Sequence, residues 1–201
     1  MATKSARGLF VKQALRNPGA VGAVWPSSRQ LADTLAKIVP TRGNPIVAEL
    51  GAGTGSACAA IDERLPEGGR HFAVEIDPSM ADHLEREYPS VTVLRGDAAD
   101  LGKLLAEHGV DELDAVACGL PWSIFGDAKQ RAILGEIRAM LPKHGFFATF
   151  TYRHTAILSG ARRFRALLEE NFDQVHISRT VVRNVPPAYV YLCSGRREVE
   201  Q

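Results

Sequence analysis

Three carboxylates stand where apolar runs end: Glu49 in IVAEL, Glu75 in HFAVEID and Asp97 in VTVLRGD. A carboxylate at the end of a strand can accept hydrogen bonds from a bound nucleotide. Glu75 is placed to take both hydroxyls of a ribose, and Asp97 the amino group of an adenine while the neighbouring amide meets a ring nitrogen. Between Glu49 and Glu75 lies the loop GAGTGS, in which Gly51, Gly53 and Gly55 permit a tight turn and bring backbone amides close to a ligand. Ser56 stands where a dinucleotide fingerprint has its third glycine, and the Gly-Lys-Ser/Thr of a phosphate-binding P-loop is missing. Three acids converging on one crevice repel a pyrophosphate and suit a cationic cofactor with an amino-acid tail.

A second group of residues follows the apolar run LDAVAC, in the stretch Cys118-Gly119-Leu120-Pro121-Trp122. Pro121 disfavours the helical region at Leu120, so the chain leaves its strand extended. Gly119 brings no side chain to this corner.

Short apolar runs alternating with helical stretches must position these residues, which is the signal for a mostly parallel sheet covered on both faces. The strand candidates are 46–50, 71–76, 91–95, 114–118 and 145–152, with helices expected over 56–65, 79–88, 99–108 and 127–141. Pro78 suits a first helical position, with Met80, Leu84 and Tyr88 as a buried stripe. Asp127 acts as cap or first-turn acid for a helix whose packing face is Ile133, Ile137 and Leu141. After a further helix over 160–171, the runs FDQVHISRTVV and PAYVYLCSG read as two strands joined around RNVPP. So close a pair must be antiparallel, which places one antiparallel strand near the sheet edge. Upstream, 28–38 is an amphipathic helix with Leu31, Leu35 and Ile38 inward, started by Ser27 or Ser28. Residues 4–16 form another helical candidate, on which Arg7 interrupts the apolar side. The expected organisation is a basic helical region over 1–40 and a catalytic domain over 41–201.

At 201 residues, with 45% apolar and 23% charged content, the chain has the composition of one ordinary globular domain. The odd, widely spaced set Cys58, Cys118 and Cys193 fits neither a disulfide framework nor a zinc pattern, so a reducing setting without metal is expected. The start MATKSARGLFVKQALRNPG has no secretory signal pattern, and no run approaches the roughly 20 apolar residues of a spanning helix. A cytoplasmic placement is expected, and the basic N-terminal helix suits docking onto the domain core or peripheral contact with a membrane face. The net charge of +1 is unevenly spread: seven basic residues against one acid over 1–45, nine against seventeen over 46–144, and eight against five over 145–201. Positive ends suggest an anionic partner, phospholipid or nucleic acid, although a merely solvated surface has the same composition.

With these elements in place, the chain resembles the Rossmann-like S-adenosylmethionine-dependent methyltransferases, from about residue 20 onward. The resemblance implies a seven-stranded, mostly parallel α/β sheet with helices on both faces. It implies that Glu49 supports the methionine end of S-adenosyl-L-methionine, that Gly51, Gly53 and Gly55 let the chain pass it, and that Glu75 and Asp97 hold ribose and adenine. Cys118 ends the strand beneath the cofactor. The stretch 119–122 resembles the Asn-Leu-Pro-Tyr or Asp-Pro-Pro-Tyr of the ribosomal RNA adenine dimethyltransferases and related amino-methylating enzymes, with Gly119 in place of the polar residue. An aliphatic amine, nucleophilic once neutral, needs positioning more than the polar alignment an adenine amine requires. GLP followed by RNVPPAYVY, and GAVWPSSRQLADTLA upstream, are similar to the bacterial phospholipid N-methyltransferases that act on phosphatidylethanolamine.

That resemblance implies an acceptor amine held by carbonyls near 118–120, with the ring of Trp122 facing a methylated ammonium. A core or lid position is the other reading of Trp122. Tyr152 can hydrogen-bond the amine or pack, and Arg153, His154 and Arg183 are candidates for the head-group phosphate. The transfer is a direct displacement from the sulfonium, with no residue standing out as an obligate base. Lys4, Arg7, Lys12 and Arg16 suit attachment to anionic lipid, or to RNA phosphates. An RNA adenine methyltransferase, a small-molecule amine methyltransferase and a nicotinamide-binding protein are the competing readings; oligomeric state is left open.

Overall fold

The computed structural model describes residues 28–197; the basic helical candidate over 4–16 lies outside them. The chain runs α1 (Arg29–Leu35), β1 (Ile46–Leu50), α2 (Ser56–Asp62), β2 (Arg70–Glu75), α3 (Pro78–Glu87), β3 (Thr92–Arg95), α4 (Leu101–Ala106), β4 (Ala115–Cys118), α5 (Asp127–Met140), β5 (Phe146–Tyr152), α6 (Ser159–Asn171), β6 (Phe172–Ile177) and β7 (Ala188–Arg196). The seven strands form one sheet in the order β3-β2-β1-β4-β5-β7-β6. The first five are parallel, and β7 runs antiparallel to both β5 and β6. The expected α/β Rossmann-like sheet is therefore present.

Register places the functional loops. Leu50 pairs with Val74 and Cys118, Glu75 with Arg95, and Cys118 with Thr149, so β1 to β5 end along one edge. Strand order reverses at β1, and the loops leaving β1 and β4 part there to open a crevice.

The pleat sorts β1 and β2 between two cores. Ala48, Leu50, Phe72 and Val74 face the layer that holds Ile133 and Ile137 of α5. Val47 faces Leu31, Leu35 and Ile38 on the other side, together with Ala57 and Ala60 of α2. Residues 29–39, grouped by charge with the basic arm, thus share the domain's core, and the expected boundary at 40 separates no independent packing unit among the described residues. Each fully buried Ile or Leu on these faces contributes about 1.5–3 kcal/mol. Ile137→Ala, at a position with no exposure, would cost about 2–5 kcal/mol by lost burial and the cavity left behind.

Local signals explain most element ends. Ser28 caps α1 by accepting from Leu31 N, and Asp77 caps α3 ahead of Pro78. Two expectations shift. The face that α3 buries is Ala81 and Leu84, with Met80 and Tyr88 half-buried, because the helix meets the sheet at its smallest residue. β6 stops at Ile177 instead of running to 182: the chain turns back at Val181, which makes an isolated bridge with Ala188.

Candidate active site

The loops at the strand ends enclose one cavity, lined at one end by Glu49, Gly51, Gly53, Glu75 and Asp97 and at the other by 118–123, Phe150, Tyr152 and Thr155.

The glycine loop is held by the carboxylate that follows it in sequence. Glu75 accepts from Gly53 N through Oε2 and from Asp77 N through Oε1, each at 2.9 Å, and is only 5% exposed. Each oxygen keeps a further lone pair for a ligand hydroxyl. Gly51 and Gly53 both have positive φ. A Cβ at Gly51 would lie 2.7 Å from the Leu120 side chain, whereas one at Gly53 would meet nothing within 4 Å. Gly51 thus lets the two loops touch, and Gly53 faces open space. Gly55 departs from the expectation. It does not line the cavity; a side chain there would strike the Tyr88 ring at 2.2 Å, so this glycine serves the packing of α2 against α3.

Glu49 is 3% exposed on the α2 face of β1. Cys58 of α2 donates to its Oε2 at 3.0 Å, and His71 Nε2 lies 3.8 Å from the same oxygen. Burial pushes the Glu49 carboxyl up to about 7, against the opposing pull of His71 and the Cys58 hydrogen bond. Behind it His71 Nδ1 meets Asp62 at 2.8 Å, Ser90 donates to Asp62, and His71 Nε2 is buried without a hydrogen-bond partner. Cys58 and His71 escaped sequence reasoning, and the available signal was a histidine inside the apolar strand HFAVE. Ligand atoms of Glu49, Cys58 and His71 lie within 4.8 Å of one another, close enough to hold a metal ion. Burial and the neighbouring carboxylate raise the Cys58 thiol far above its usual range, and its sulfur donates to Glu49.

Asp97 accepts from Ala99 N and pairs with Lys129 Nζ at 3.2 Å. Lys129 also lies over the Phe125 ring, 5.1 Å from its centroid, and lines the cavity. Sequence reading missed this lysine because it belongs to the first turn of α5, far along the chain from Asp97.

The acceptor corner corrects one expectation. The Trp122 ring is not offered to a substrate: it is 2% exposed, stacks on Phe164 at 4.0 Å, and donates from Nε1 to Thr149 Oγ1. Thr149 in turn donates to the Cys118 carbonyl, while Leu120 O accepts from Trp122 N. Gln130, fully buried, donates to Trp122 O and Gly160 O. The turn after Pro121 sends this side chain into the α6 layer, where its ring meets Phe164. The Cys118 thiol is buried and pushed up to about 12. At Gly119 a Cβ would stand 3.0 Å from the Gly51 carbonyl, so a side chain there would press on the backbone of the other loop.

Tyr152, 7% exposed, lines the cavity beside Phe150 and meets it edge-on. Arg153, His154 and Arg183 do not line it. They are exposed on the neighbouring loops, with Arg153 Nη1 donating to Thr180. Arginine at 153 points outward because it follows the strand's inward Tyr152 by one residue.

Comparison with known proteins agrees with this geometry. The sequence model of a methyltransferase domain matches residues 47–145, which span the glycine loop to the start of β5. Over 94% of this chain and 96% of the other, the sequence is 31% identical to an ornithine lipid N-methyltransferase from Singulisphaera acidiphila. The chain is an S-adenosylmethionine-dependent methyltransferase of class I. Among solved structures, an O-methyltransferase from Bacillus cereus in complex with SAH superposes with a TM-score of 0.69 at 16% identity, covering 94% of this chain and 89% of that one. An SAM-dependent O-methyltransferase from Thermotoga maritima gives 0.60 at 18% identity, over 88% and 68%. At those identities the likeness is one of fold. S-adenosylmethionine is the methyltransferase's cofactor, and the residues present fit it: acceptor carboxylates, an open glycine and no lysine in the glycine loop.

Proposed function

We propose that this methyltransferase moves a methyl group from S-adenosylmethionine to the amine head group of a membrane lipid, phosphatidylethanolamine or a similar aminolipid. The observation that carries the reading is the corner at Gly119. The Asn-Leu-Pro-Tyr and Asp-Pro-Pro-Tyr motifs that this stretch resembles carry a polar side chain there, whereas this chain has a glycine whose Cβ position lies 3.0 Å from the Gly51 carbonyl. An aliphatic amine suits such a site, since it is nucleophilic once neutral and asks chiefly for position. The ornithine lipid relative, aligned along nearly its whole length, supports the same chemical class.

In this reading Glu75 accepts from the ribose hydroxyls, Asp97 faces the adenine and Glu49 lies under the methionine end. Gly51 and Gly53 give the cofactor passage, with Cys118 as the floor. The carbonyls of 118–120 direct the amine, Leu120 and Pro121 shape its path, and the ring of Tyr152 faces the methylated ammonium. The amine's lone pair attacks the sulfonium methyl in line and S-adenosylhomocysteine departs. The site contributes alignment and dipoles suited to a positive charge that moves from sulfur to nitrogen. An ammonium with a reference pKa near 10.4 must lose its proton first, so binding selects the neutral amine. Arg153, His154 and Arg183 flank the entrance, where a head-group phosphate would pass.

The test is methyl transfer to vesicles of phosphatidylethanolamine, vesicles of ornithine lipid and an unmodified RNA transcript, with product masses recorded. Mass gains of one or more methyl groups on an aminolipid are expected. Methylated RNA with unmodified lipids would overturn the proposal.

A further inference from the structure

Two loops beside the cavity carry apolar side chains that the fold leaves uncovered. Ile157 is 75% exposed, Val182 71% and Val185 68%, and Leu158 is exposed beside them. The loops are fastened to each other: Arg153 N donates to Pro187 O and Arg153 Nη1 to Thr180 Oγ1, while Val181 bridges Ala188 within the second loop. Arg153, Arg162, Arg179 and Arg183 are exposed among the apolar tips. The sequence places no Asp or Glu between residues 151 and 168, or between 174 and 197, so no acid on these segments opposes that charge.

Position gives the surface its meaning. Residues 150–152 and Thr155 line the cavity, and the same segment runs on directly to Ile157 and Leu158. The other loop is anchored through Asn184, 2% exposed, which accepts from Ser28 N and donates to Pro186 O. In sequence, Ser28 follows a stretch that contains Lys4, Arg7, Lys12 and Arg16 and no acid.

We propose that the loops over 153–159 and 178–187 form a membrane-docking surface: Ile157, Leu158, Val182 and Val185 enter the interfacial layer while the arginines between them meet anionic head groups. Separate aliphatic tips set among cations suit an interface that is apolar below and anionic above. RNA would use the arginines but has no use for branched aliphatic tips, since it rewards stacking on aromatic faces. The surface gives lipid specificity a geometric basis, because a lipid under the loops presents its head group to Tyr152 and Thr155. The inference builds on the aminolipid reading, yet it can be tested without it.

The full-length chain is mixed with phosphatidylcholine–phosphatidylglycerol vesicles that contain no amine-bearing acceptor, and cosedimentation is measured. Wild-type protein should bind, more weakly as salt is added. The triple variant Ile157→Ser, Val182→Ser, Val185→Ser should lose roughly ten-fold in apparent affinity. It should still methylate a short-chain aminolipid, dissolved as monomers, at the wild-type rate. In a second variant, Ile157→Trp, brominated acyl chains should quench the new fluorescence. Undiminished vesicle binding by the triple variant, or no quenching at position 157, would overturn the proposal. So would a triple variant whose only change is in self-association or in RNA retention. Docking to amine-free vesicles without methylation of any lipid would instead reject the aminolipid acceptor and leave the surface standing.

Discussion

At the β2 end of the cavity the polar side chains are held by second groups: Glu75 by two backbone amides, Glu49 by Cys58, Asp97 by Ala99 N and Lys129. At the β5 end the walls are backbone at Gly119, proline and aromatic rings, and the charged groups stand outside on loops. The first end is preorganised around fixed charge and suits one constant ligand. The second is shaped by packing, and its charge lies where an acceptor arrives. This division teaches that cofactor identity in such a fold is written in side chains, whereas acceptor identity is written largely in where the backbone goes.

The strongest way to break the contrast is Glu75→Ala. It orphans the Gly53 and Asp77 amides and removes the proposed ribose acceptor; at about 1.5–3 kcal/mol per charge-assisted bond, cofactor affinity should fall by about two orders of magnitude. Calorimetric titration with S-adenosylmethionine checks it, and near-normal uptake would show that the carboxylate is structural only. At the opposite end, Gly119→Asn sets a Cβ 3.0 Å from the Gly51 carbonyl. Steady-state assays should show methyl transfer down about ten-fold, since moving the corner misaligns the amine. A rate equal to wild type would show that the corner has room to spare.

A paired test sharpens the roles of the two aromatics. Tyr152→Ala should raise the acceptor's KM about five- to ten-fold, the equivalent of about 1–1.4 kcal/mol of ring contact. Trp122→Phe should leave that KM unchanged and reduce stability by about 1 kcal/mol, through loss of the bond to Thr149, as read by urea unfolding. The last effect is that of pH. With the Glu49 carboxyl raised to about 7, a cationic ligand favours the ionised form and drives off a proton. Affinity for S-adenosylmethionine should therefore rise from pH 6 to 8, by up to about ten-fold. Titrations in buffers of different ionisation enthalpy check the proton release. For the ligand-free chain the sign is opposite: a raised folded pKa gives stability that is present below about pH 4.5 and is lost as pH climbs through about 7.

The cofactor end was the more legible in sequence. Glu49, Glu75 and Asp97 stand at or just after the ends of consecutive strands, and short continuous apolar runs together with glycine punctuation give those positions away. The antiparallel β7 followed from the short connection alone. Three things escaped. Trp122 fitted a substrate-facing motif by its neighbours, but its facing depended on the turn after Pro121 and on Phe164, which lies on a helix formed much later. Lys129 and His71 reach their carboxylates only through tertiary packing. The exposed aliphatic tips at 157, 182 and 185 sit in runs that read as ordinary apolar sequence, because exposure is a property of what fails to cover them.

Gly160 has no tolerance for a side chain, since a Cβ there would stand 2.2 Å from the carbonyl of Ser123. The first turn of α6 therefore bears on the 122–124 turn with backbone against backbone, and Ile157 and Leu158 lie only two or three residues upstream. A side chain at position 160 would therefore displace the 122–124 turn together with the helix that carries it.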